Sequence, residues 1–333
     1  MIERYDLAGK RVLITGGAGF IGSQIVRLLV DAGCSEIVVL DNMIRGRGTN
    51  LAAVANSGGL RIIEDDIRNR NLVRSLLEGT DTVFHQAALR ITHCAAEPRQ
   101  ALEVMIDATF DLFEHCVRSG VRKVVFASSA SVYGMAEQFP TSERQHPYDN
   151  RTLYGAAKAF GEGLLRSLHD MYGLNYVALR YFNVYGPGMD LHGRYTEVLI
   201  RWMEKMERGE APIIFGDGLQ TMDFVDVRDV AQANMLAAVC PVTDMVFNVG
   251  MGVETSLLQL AQCLATAMGC PDLAPVHVGD NPVNPVRRRL AGTQAAREHL
   301  GFAAQIPLDE GLRNLVGWWR GERAGALTEV PGP

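Results

Sequence analysis

Three side chains with acid–base chemistry lie near the middle of the sequence. Tyr154 and Lys158 are four residues apart, which places a phenol and an ammonium group on the same face of a helix. Ser129, whose hydroxyl can donate and accept a hydrogen bond, precedes Tyr154 by 25 residues. Together these groups are suited to moving a proton to or from a substrate hydroxyl. Taken alone, a Tyr-x-x-x-Lys pair is more often a surface pair of a helix.

A glycine-rich segment near the N-terminus changes that interpretation. The glycines recur every third residue, directly after the apolar run at residues 12–14 and before a helical pattern. This is the pattern of a turn that holds a dinucleotide pyrophosphate at the N-terminus of a helix. The residues that we expect to contact the dinucleotide here are Gly16, Gly19, Phe20, Ile21 and Gly22.

The acid that ends the next apolar run indicates which dinucleotide binds. Asp41 stands 19 residues after Gly22, near the typical spacing of about 20. Its carboxylate can accept hydrogen bonds from ribose hydroxyls and repels a 2′-phosphate, so we predict NAD rather than NADP. Arg45 and Arg47 could instead bind that phosphate, although they are more simply solvated loop charges.

Asp66 and Ile67 follow the third apolar run and have two interpretations. They could hold the adenine edge through a carboxylate hydrogen bond and an apolar contact. Asp66 could equally cap a helix that begins near Arg68. The local sequence does not distinguish between these two roles.

Short apolar runs alternate with helical patterns through the first half of the chain. The runs, rich in β-branched residues, cover residues 12–14, 37–40, 60–63, 82–85, 124–127 and 176–181. The helical patterns include residues 21–32, 101–119 and 152–172. This alternation predicts an α/β fold with a Rossmann-type doubly wound parallel sheet.

The pattern changes after residue 186, where longer Gly- and Pro-containing loops appear. We predict a smaller, loop-rich α/β C-terminal region that binds the substrate over the carboxyl ends of the strands. The predicted division is an NAD-binding domain at 1–185, which includes the Ser/Tyr/Lys site, a mainly substrate-binding domain at 186–320, and a frayed tail at 321–333.

The composition argues against several other classes of protein. The 333 residues are 47% hydrophobic and carry a net charge of -6, which is unlike a general nucleic-acid or membrane-surface binder. No apolar run has the length of a membrane span, and the N-terminus lacks a signal-peptide pattern. The six cysteines form no Cys-x-x-Cys pair. We therefore expect reduced thiols in a cytoplasmic protein, with no metal site and no nucleic-acid or membrane partner.

With these motifs in order, the chain resembles an extended short-chain dehydrogenase/reductase. The resemblance is to the NAD-dependent nucleotide-sugar epimerase/dehydratase family, and the chain is similar to UDP-glucose 4-epimerases. It runs from about residue 10 to 318. The segments that carry it are residues 16–22, 41–42, 66–67, 85–88, 128–134, 154–158, 180–187 and 223–230.

The resemblance implies a role for each of these motifs. Tyr154 is the base, Lys158 its electrostatic partner and a ribose binder, and Ser129 the proton relay. NAD is the implied cofactor, with Asn42, Ala87, Ala88 and Phe182 added to the residues around it. The implied substrate is a nucleotide-diphosphate sugar, contacted by Arg90, Ser129, Asn183, Thr196, Glu197, Phe215, Arg287 and Arg289.

The implied reaction is 4-epimerisation of UDP-glucose and UDP-galactose through a 4-keto intermediate. A UDP-glucuronate 4-epimerase or another nucleotide-sugar epimerase or reductase is the alternative. Family dehydratases carry an acid after the Ser/Thr, and Ala130-Ser131 stand there instead, so water elimination is disfavoured. An NAD-sensing regulator without activity is a further alternative, disfavoured because the catalytic tyrosine is present.

Some positions depart from the pattern of the family. Met105, Met222 and Gly292 stand where many members have an asparagine, a phosphate-binding arginine and an aspartate. The run of arginines at residues 287–289 could supply the cations for a diphosphate, or could be a solvated face. A bulky cation at Arg289 argues against an N-acetylated sugar and favours a uronate.

The resemblance also implies a homodimer. Related enzymes associate through helices equivalent to those predicted at residues 101–119 and 152–172, which we expect to lie side by side. We predict that their outer faces carry Leu112, Phe113, Leu164 and Leu168.

Overall fold

The apolar runs of the sequence become neighbouring strands in the computed structural model, which describes residues 6–191, 198–279 and 286–328. The strands of these residues, in chain order, are β1 (Arg11–Thr15), β2 (Glu36–Asp41), β3 (Leu60–Glu64), β4 (Thr82–His85), β5 (Lys123–Ser129), β6 (Tyr176–Tyr181), β7 (Asn183–Tyr185), β8 (Ile213–Phe215), β9 (Thr221–Asp226), β10 (Met245–Val249), β11 (Glu254–Ser256) and β12 (Val276–Val278).

Helices cover both faces of the main sheet and build the C-terminal region. In chain order they are α1 (Phe20–Asp31), α2 (Arg70–Leu77), α3 (Ile91–Ala96), α4 (Pro98–Leu102), α5 (Ala108–Arg118), α6 (Leu153–Tyr172), α7 (Val198–Glu207), α8 (Val227–Val239), α9 (Leu257–Met268), α10 (Gln294–Leu300) and α11 (Leu308–Thr328). Short 3-10 turns lie at Gly48–Val54, Ala130–Tyr133 and Pro147–Asp149.

The main sheet has the order β10-β6-β5-β4-β1-β2-β3, and its neighbouring strands are parallel. The order reverses beside β1, so a crevice opens at the carboxyl ends of β1 and β4, where doubly wound sheets bind dinucleotides. The predicted α/β, Rossmann-type fold is confirmed. Strand β10 belongs to this sheet although it lies after residue 186, which was not predicted from the sequence. The division of the chain into two domains at residue 185 stays a prediction.

Helix α6 positions the proton-transfer residues, and its two ends are set by its sequence. Thr152 accepts a hydrogen bond from the Gly155 N–H at 3.1 Å and so caps the first turn. Gly173, with φ of 73°, adopts the left-handed conformation that closes the last turn. Between them the helix buries Ala157, Lys158 and Leu165 against the sheet and α5.

The helix predicted at residues 101–119 is broken into three pieces. A π-turn at Glu103–Asp107 separates α4 from α5. The helices α5 and α6 do pack side by side, as predicted. The prediction of their outer residues was wrong for Leu112, Phe113 and Leu168, which are buried in the core, and Leu164 is partly buried against it. The exposed aromatic residues of these two helices include Phe110 and Phe160.

The C-terminal region has its own apolar core, formed by α7, α9 and α11 around Trp202 and Trp319. Two small sheets, β11-β9-β7 and β12-β8, connect it to the main sheet. Helix α11 continues to Thr328, so the first part of the tail predicted to be frayed at 321–333 is helical. Residues 329–333 lie outside the described residues. None of the helices in the described part of the chain is long and apolar enough to cross a membrane.

Candidate active site

The glycine turn between β1 and α1 is packed so closely against neighbouring backbone that a side chain would not fit. Gly16 has φ of 69°, and a Cβ atom there would lie 2.7 Å from the Ala87 nitrogen. A Cβ on Gly22 would lie 2.2 Å from the Gly16 carbonyl oxygen. Gly19 is the N-cap of α1 and offers no side-chain hydrogen bond to the first turn. The first N–H groups of α1 are therefore left without a capping side chain, as an anion site requires.

A cavity of about 1080 Å³ extends from this turn to the C-terminal region. Every residue predicted to bind NAD lines it. These residues are Gly16, Gly19, Phe20, Ile21, Gly22, Asp41, Asn42, Asp66, Ile67, Ala87, Ala88, Tyr154, Lys158 and Phe182. Of the residues predicted to bind substrate, Arg90, Ser129, Asn183, Phe215 and Arg289 also line it. Thr196 and Glu197 lie outside the described residues, and Arg287 is exposed and is not part of the lining.

Asp41 is fixed at the end of β2 by the backbone around it. Its carboxylate accepts hydrogen bonds from the Ala18 N–H at 2.9 Å and the Met43 N–H at 3.0 Å. Burial raises its pKa, and these N–H groups act in the opposite direction. A Cβ on Gly46 would lie 2.6 Å from the carboxylate, so this loop must be small there. The carboxylate is thus held rigidly at the cavity edge, where it can accept further hydrogen bonds.

Asp66 takes part in a hydrogen-bond network rather than only capping a helix. Asn42 donates to it at 2.9 Å, and Arg68 donates to it through Nε at 3.0 Å and Nη2 at 3.1 Å. Burial would raise the pKa of Asp66, but the hydrogen bonds from Arg68 and Asn42 outweigh it and lower the pKa. The helix-capping role belongs to Asn69, whose side chain accepts the Leu72 N–H. Asp66 is therefore an ionised group beside the cavity.

Arg45 and Arg47 are not simply solvated loop charges. Arg45 Nε lies 3.9 Å from one carboxylate oxygen of Asp190, and Arg47 Nη2 lies 3.7 Å from the other. All three residues line the cavity. These ion pairs join the loop after β2 to the segment after β7 across the cavity edge.

The proton-transfer residues meet at the carboxyl end of β5. Lys158 is only 2% exposed, and its Nζ donates to the Ala127 carbonyl at 2.6 Å and lies 5.8 Å from the centre of the Tyr154 ring. Burial lowers the pKa of Lys158 to about 8. Ser129 Oγ accepts the Ser131 N–H at 3.1 Å, which orients its hydroxyl at the strand end. The structure therefore brings together the three residues selected from the sequence.

The surroundings of Tyr154 in the protein raise its pKa above the ordinary value. Burial raises it, a hydrogen bond with Ser129 acts in the opposite direction, and Arg45 and Arg289 also lower it. The protein groups alone therefore do not make Tyr154 a phenolate at neutral pH. Further positive charge from a bound molecule is needed for that.

His85 and Met105, close to the proton-transfer residues, form hydrogen bonds with uncharged groups. His85 on β4 lies between Thr15 and Thr109, with its ring nitrogens 2.7 and 3.1 Å from their hydroxyl oxygens. Burial, aided by Lys158, lowers the pKa of His85 to about 3, so its ring is neutral. Met105, where the family pattern has an asparagine, accepts the Leu89 N–H through its sulfur at 3.2 Å.

Arginines 287–289 form an extended segment beside β9, and their side chains have different environments. Thr221 accepts the Arg289 N–H at 2.9 Å and donates its own N–H to Arg287. Arg288 forms two 2.7 Å hydrogen bonds to Glu254. Arg289 lines the cavity, and burial lowers its pKa to about 10. No acidic side chain in the described ranges pairs with Arg289, so its guanidinium remains available to an anionic ligand.

The other two departures from the family pattern have structural explanations. Met222 is buried in β9 and does not line the cavity, so Arg289 provides a cation that this strand lacks. A Cβ on Gly292 would lie 3.0 Å from the Thr141 carbonyl oxygen. Gly292 also donates its N–H to that oxygen at 2.8 Å, so an aspartate here would require the segment to move.

Sequence reasoning missed the part of the cavity formed by α7. Arg201, Trp202 and Lys205 line it there. Trp202 Nε1 donates to the Ile213 carbonyl at 2.9 Å, which fixes the helix on β8. In the sequence these residues look like one amphipathic helix with surface cations, and only the folded chain shows that they reach the cavity.

Comparisons with known proteins support one family. Residues 12–250 match the model of the NAD dependent epimerase/dehydratase family. A UDP-glucose 4-epimerase of Mycolicibacterium smegmatis is 38% identical over 317 residues, covering 93% of this chain and 98% of the relative. The solved UDP-glucose 4-epimerase of Thermotoga maritima, with UDP-glucose, has a TM-score of 0.87 and 34% identity, covering 94% of this chain and 99% of that one.

A second solved structure is equally similar. The UDP-N-acetylglucosamine 4-epimerase of Methanobrevibacter ruminantium M1, in complex with UDP-N-acetylmuramic acid, has a TM-score of 0.89 and 34% identity, covering 95% of this chain and 99% of that one. The parallel sheet, the glycine turn and the Tyr154–Lys158 pair define a dinucleotide-dependent enzyme. The chain belongs to the NAD dependent epimerase/dehydratase family, which confirms the predicted family and its cofactor.

Proposed function

We propose that this protein is an NAD-dependent epimerase that interconverts UDP-glucose and UDP-galactose at C4. The observation that carries the proposal is the set of residues that line one continuous cavity. The uncapped turn of α1 lies at one end of it, Ser129, Tyr154 and Lys158 lie on its wall, and Arg289, which pairs with no acidic side chain among the described residues, also lines it. Such a cavity suits two ligands, a dinucleotide and an anionic sugar derivative. The names of the similar proteins support the same substrate class.

The residues present fit NAD. The close-packed turn at Gly16 and Gly22, with the uncapped N–H groups at the start of α1, would receive a pyrophosphate, and Asp41 would accept hydrogen bonds from ribose hydroxyls. Lys158 would hold the nicotinamide ribose. When bound, NAD supplies a hydride acceptor and donor together with a positive charge.

The chain's own residues account for the proton transfer. Tyr154 Oη takes the proton from the sugar 4-hydroxyl, directly or through Ser129, as the 4-keto sugar forms, and returns it when the opposite face is reduced. Lys158 and Arg289 place positive charge around the phenolate that this step needs. Because the reaction begins and ends at the same oxidation state, the cofactor need not leave the protein.

One observation favours a second candidate, UDP-glucuronate 4-epimerase. Arg289 acts electrostatically on Tyr154, so its guanidinium lies near the reacting end of the cavity as well as near a diphosphate. A uronate carboxylate could form a bidentate pair with it. A dehydratase is less well supported, because Ala130 and Ser131 follow Ser129 and neither has an acidic side chain.

We also propose a cytoplasmic homodimer. The adjacent helices α5 and α6 each expose a phenylalanine, Phe110 at 42% and Phe160 at 38%, and a second copy of the chain packed on these helices would remove both rings from water. The six cysteines are free thiols, as expected in a reducing compartment. Sedimentation of the wild type and of Phe110→Glu tests the dimer: the wild type should sediment as a dimer and the variant as a monomer, and a monomeric wild type would exclude it.

A panel of nucleotide sugars tests the activity. The purified protein is incubated without added NAD with UDP-glucose, UDP-glucuronate, UDP-N-acetylglucosamine and dTDP-glucose, and the products are separated by chromatography. We expect conversion of UDP-glucose to UDP-galactose, with a deuterium label at C4 retained. Conversion of UDP-glucuronate alone would support the second candidate. Loss of the label to water, or turnover only with added NADH, would contradict an epimerase.

A further inference from the structure

A buried ion pair joins the elements that carry the proton-transfer residues. Arg180 on β6 donates to Glu162 on α6 through Nη2 at 2.6 Å and Nε at 2.9 Å, and the two side chains are 8% and 10% exposed. Glu162 follows Lys158 by one helical turn. Ser128 Oγ donates a further hydrogen bond to Glu162. The carboxylate of Glu162 therefore connects α6, β6 and the strand end that carries the relay serine.

The network continues from Arg180 to the substrate end of the cavity. Arg180 Nη1 donates to the Glu143 carbonyl at 3.0 Å, and the Glu143 side chain accepts the Asn248 N–H at 2.8 Å. Asn248 in turn accepts the Tyr133 hydroxyl at 2.6 Å and donates to the Gly292 carbonyl at 3.0 Å. Gly292 lies three residues after the arginine that faces the cavity. These hydrogen bonds thus connect α6, which carries Tyr154 and Lys158, with the segment that carries Arg289.

Stability alone does not account for this pair. Two charges removed from water recover their desolvation cost only with good geometry, and apolar pairs of similar volume often serve a fold as well. Relying on the reaction proposed above, we propose that Glu162 is a positioning residue. Paired with Arg180, it holds the end of β5 against α6 and keeps a negative charge one helical turn from Lys158.

The surroundings of Lys158 give this proposal a measurable consequence. The titratable groups near it among the described residues are Glu162 and Tyr154 on its own helix, Cys94 on α3 and His85 on β4. Burial raises the pKa of both the Cys94 thiol and the Tyr154 phenol, and His85 is neutral. Glu162, which forms an ion pair with Arg180, is therefore the anionic group of this set.

Replacing Glu162 by Gln should make Lys158 lose its proton at lower pH. Burial lowers the pKa of Lys158 to about 8, with Cys94 and Glu162 acting in the opposite direction, so removal of the Glu162 charge lowers it further. The chain has four lysines, at positions 10, 123, 158 and 205. NMR titration of protein with ¹³C at lysine Cε can therefore follow each one, and Lys158→Arg identifies the signal of Lys158. A Lys158 titration unchanged by Glu162→Gln would overturn the proposal.

Activity provides the second measurement. With whichever nucleotide sugar the wild type converts, Glu162→Gln should lower kcat by about 10- to 100-fold, as loss of other outer partners of catalytic groups does, with KM nearly unchanged. Glu162→Asp, which keeps the charge, should recover part of this loss. The matched control is Glu114→Gln on α5, which breaks the ion pair with Arg118 and should change neither kcat nor the Lys158 titration.

A double variant separates positioning from folding. Glu162→Gln leaves Arg180 buried without its partner and could fail for that reason alone. Glu162→Gln with Arg180→Met removes both charges. If the proposal is correct, this variant folds with a near-normal melting temperature, and both its Lys158 pKa and its kcat are lower than those of the wild type. Recovery of kcat together with stability would show a purely structural pair. A wild type without turnover would refute the proposed function, while the lysine titration would still test Glu162.

Discussion

Replacement of Gly16 by Ala tests the glycine turn most directly, because the structure gives two separate reasons for a glycine there. The backbone φ of 69° is a conformation that costs an alanine about 1–2 kcal/mol. The new Cβ would also lie 2.7 Å from the Ala87 nitrogen and 2.9 Å from its Cα. To reach an ordinary contact of 3.4 Å, the two backbones must separate by roughly 0.7 Å. The turn between β1 and α1, where the pyrophosphate would bind, would then change shape.

Gly33, just beyond the other end of α1, is the matched control. Its φ is 74°, but a Cβ there would meet nothing within 4 Å. Gly33→Ala therefore carries the conformational cost without the collision. We expect both variants to lose about 1–2 kcal/mol of unfolding free energy, and Gly16→Ala somewhat more. Only Gly16→Ala should lose bound NAD, by at least about tenfold in affinity, since 1.4 kcal/mol corresponds to a factor of ten.

The assay is the amount of NAD released when the purified protein is denatured, together with a melting curve. Wild type and Gly33→Ala should release similar amounts, and Gly16→Ala much less. If Gly16→Ala retained NAD as the wild type does, the close approach of the turn to Ala87 would not form the cofactor site. Equal loss of NAD from both variants would assign the effect to stability alone.

Three further substitutions and one control substitution test other parts of the site. Tyr154→Phe should lower kcat by about 10²- to 10⁴-fold with NAD content unchanged, and an active variant would exclude Tyr154 as the base. Asp41→Asn should narrow the preference for NAD over NADP. It should also cost about 1–3 kcal/mol of stability, because the Ala18 and Met43 N–H groups donate to different oxygens of the carboxylate and the amide of Asn has only one oxygen to accept them. Arg289→Met should raise KM about tenfold or more, whereas Arg288→Met, whose side chain pairs with Glu254, should not.

The cofactor end of the site could be predicted from the sequence because short segments build it. The turn at Gly16 and the carboxylate of Asp41 each follow a strand directly, and parallel strands bring their carboxyl ends to the same edge. The pairing of Tyr154 with Lys158 follows from helical periodicity alone. In each case the information lies within a few residues of the chain.

The predictions of exposed helix residues were wrong where the packing of neighbouring elements decides which side chains are buried. An apolar helical pattern does not show which side faces the sheet when both sides carry apolar residues. Leu112 and Phe113 fill the core between α5 and β4, whereas Phe110 stays exposed. The π-turn before α5 also rotates the faces of this helix relative to α4, and no residue in the sequence marks it.

The substrate end depends on contacts between distant segments, and for this reason only candidate residues could be predicted there. Asp223 is buried on β9 and accepts the N–H groups of Met251, Gly252 and Ala291 at 2.7, 2.9 and 3.1 Å. It thereby holds the turn after β10 against the segment that carries Arg289. Burial raises the pKa of Asp223 to about 6, while the three N–H groups lower it. The three N–H contacts of Asp223 join segments far apart in the sequence, so the resemblance could nominate Arg289 as a substrate contact, but how it is held at the cavity becomes evident only in the folded chain.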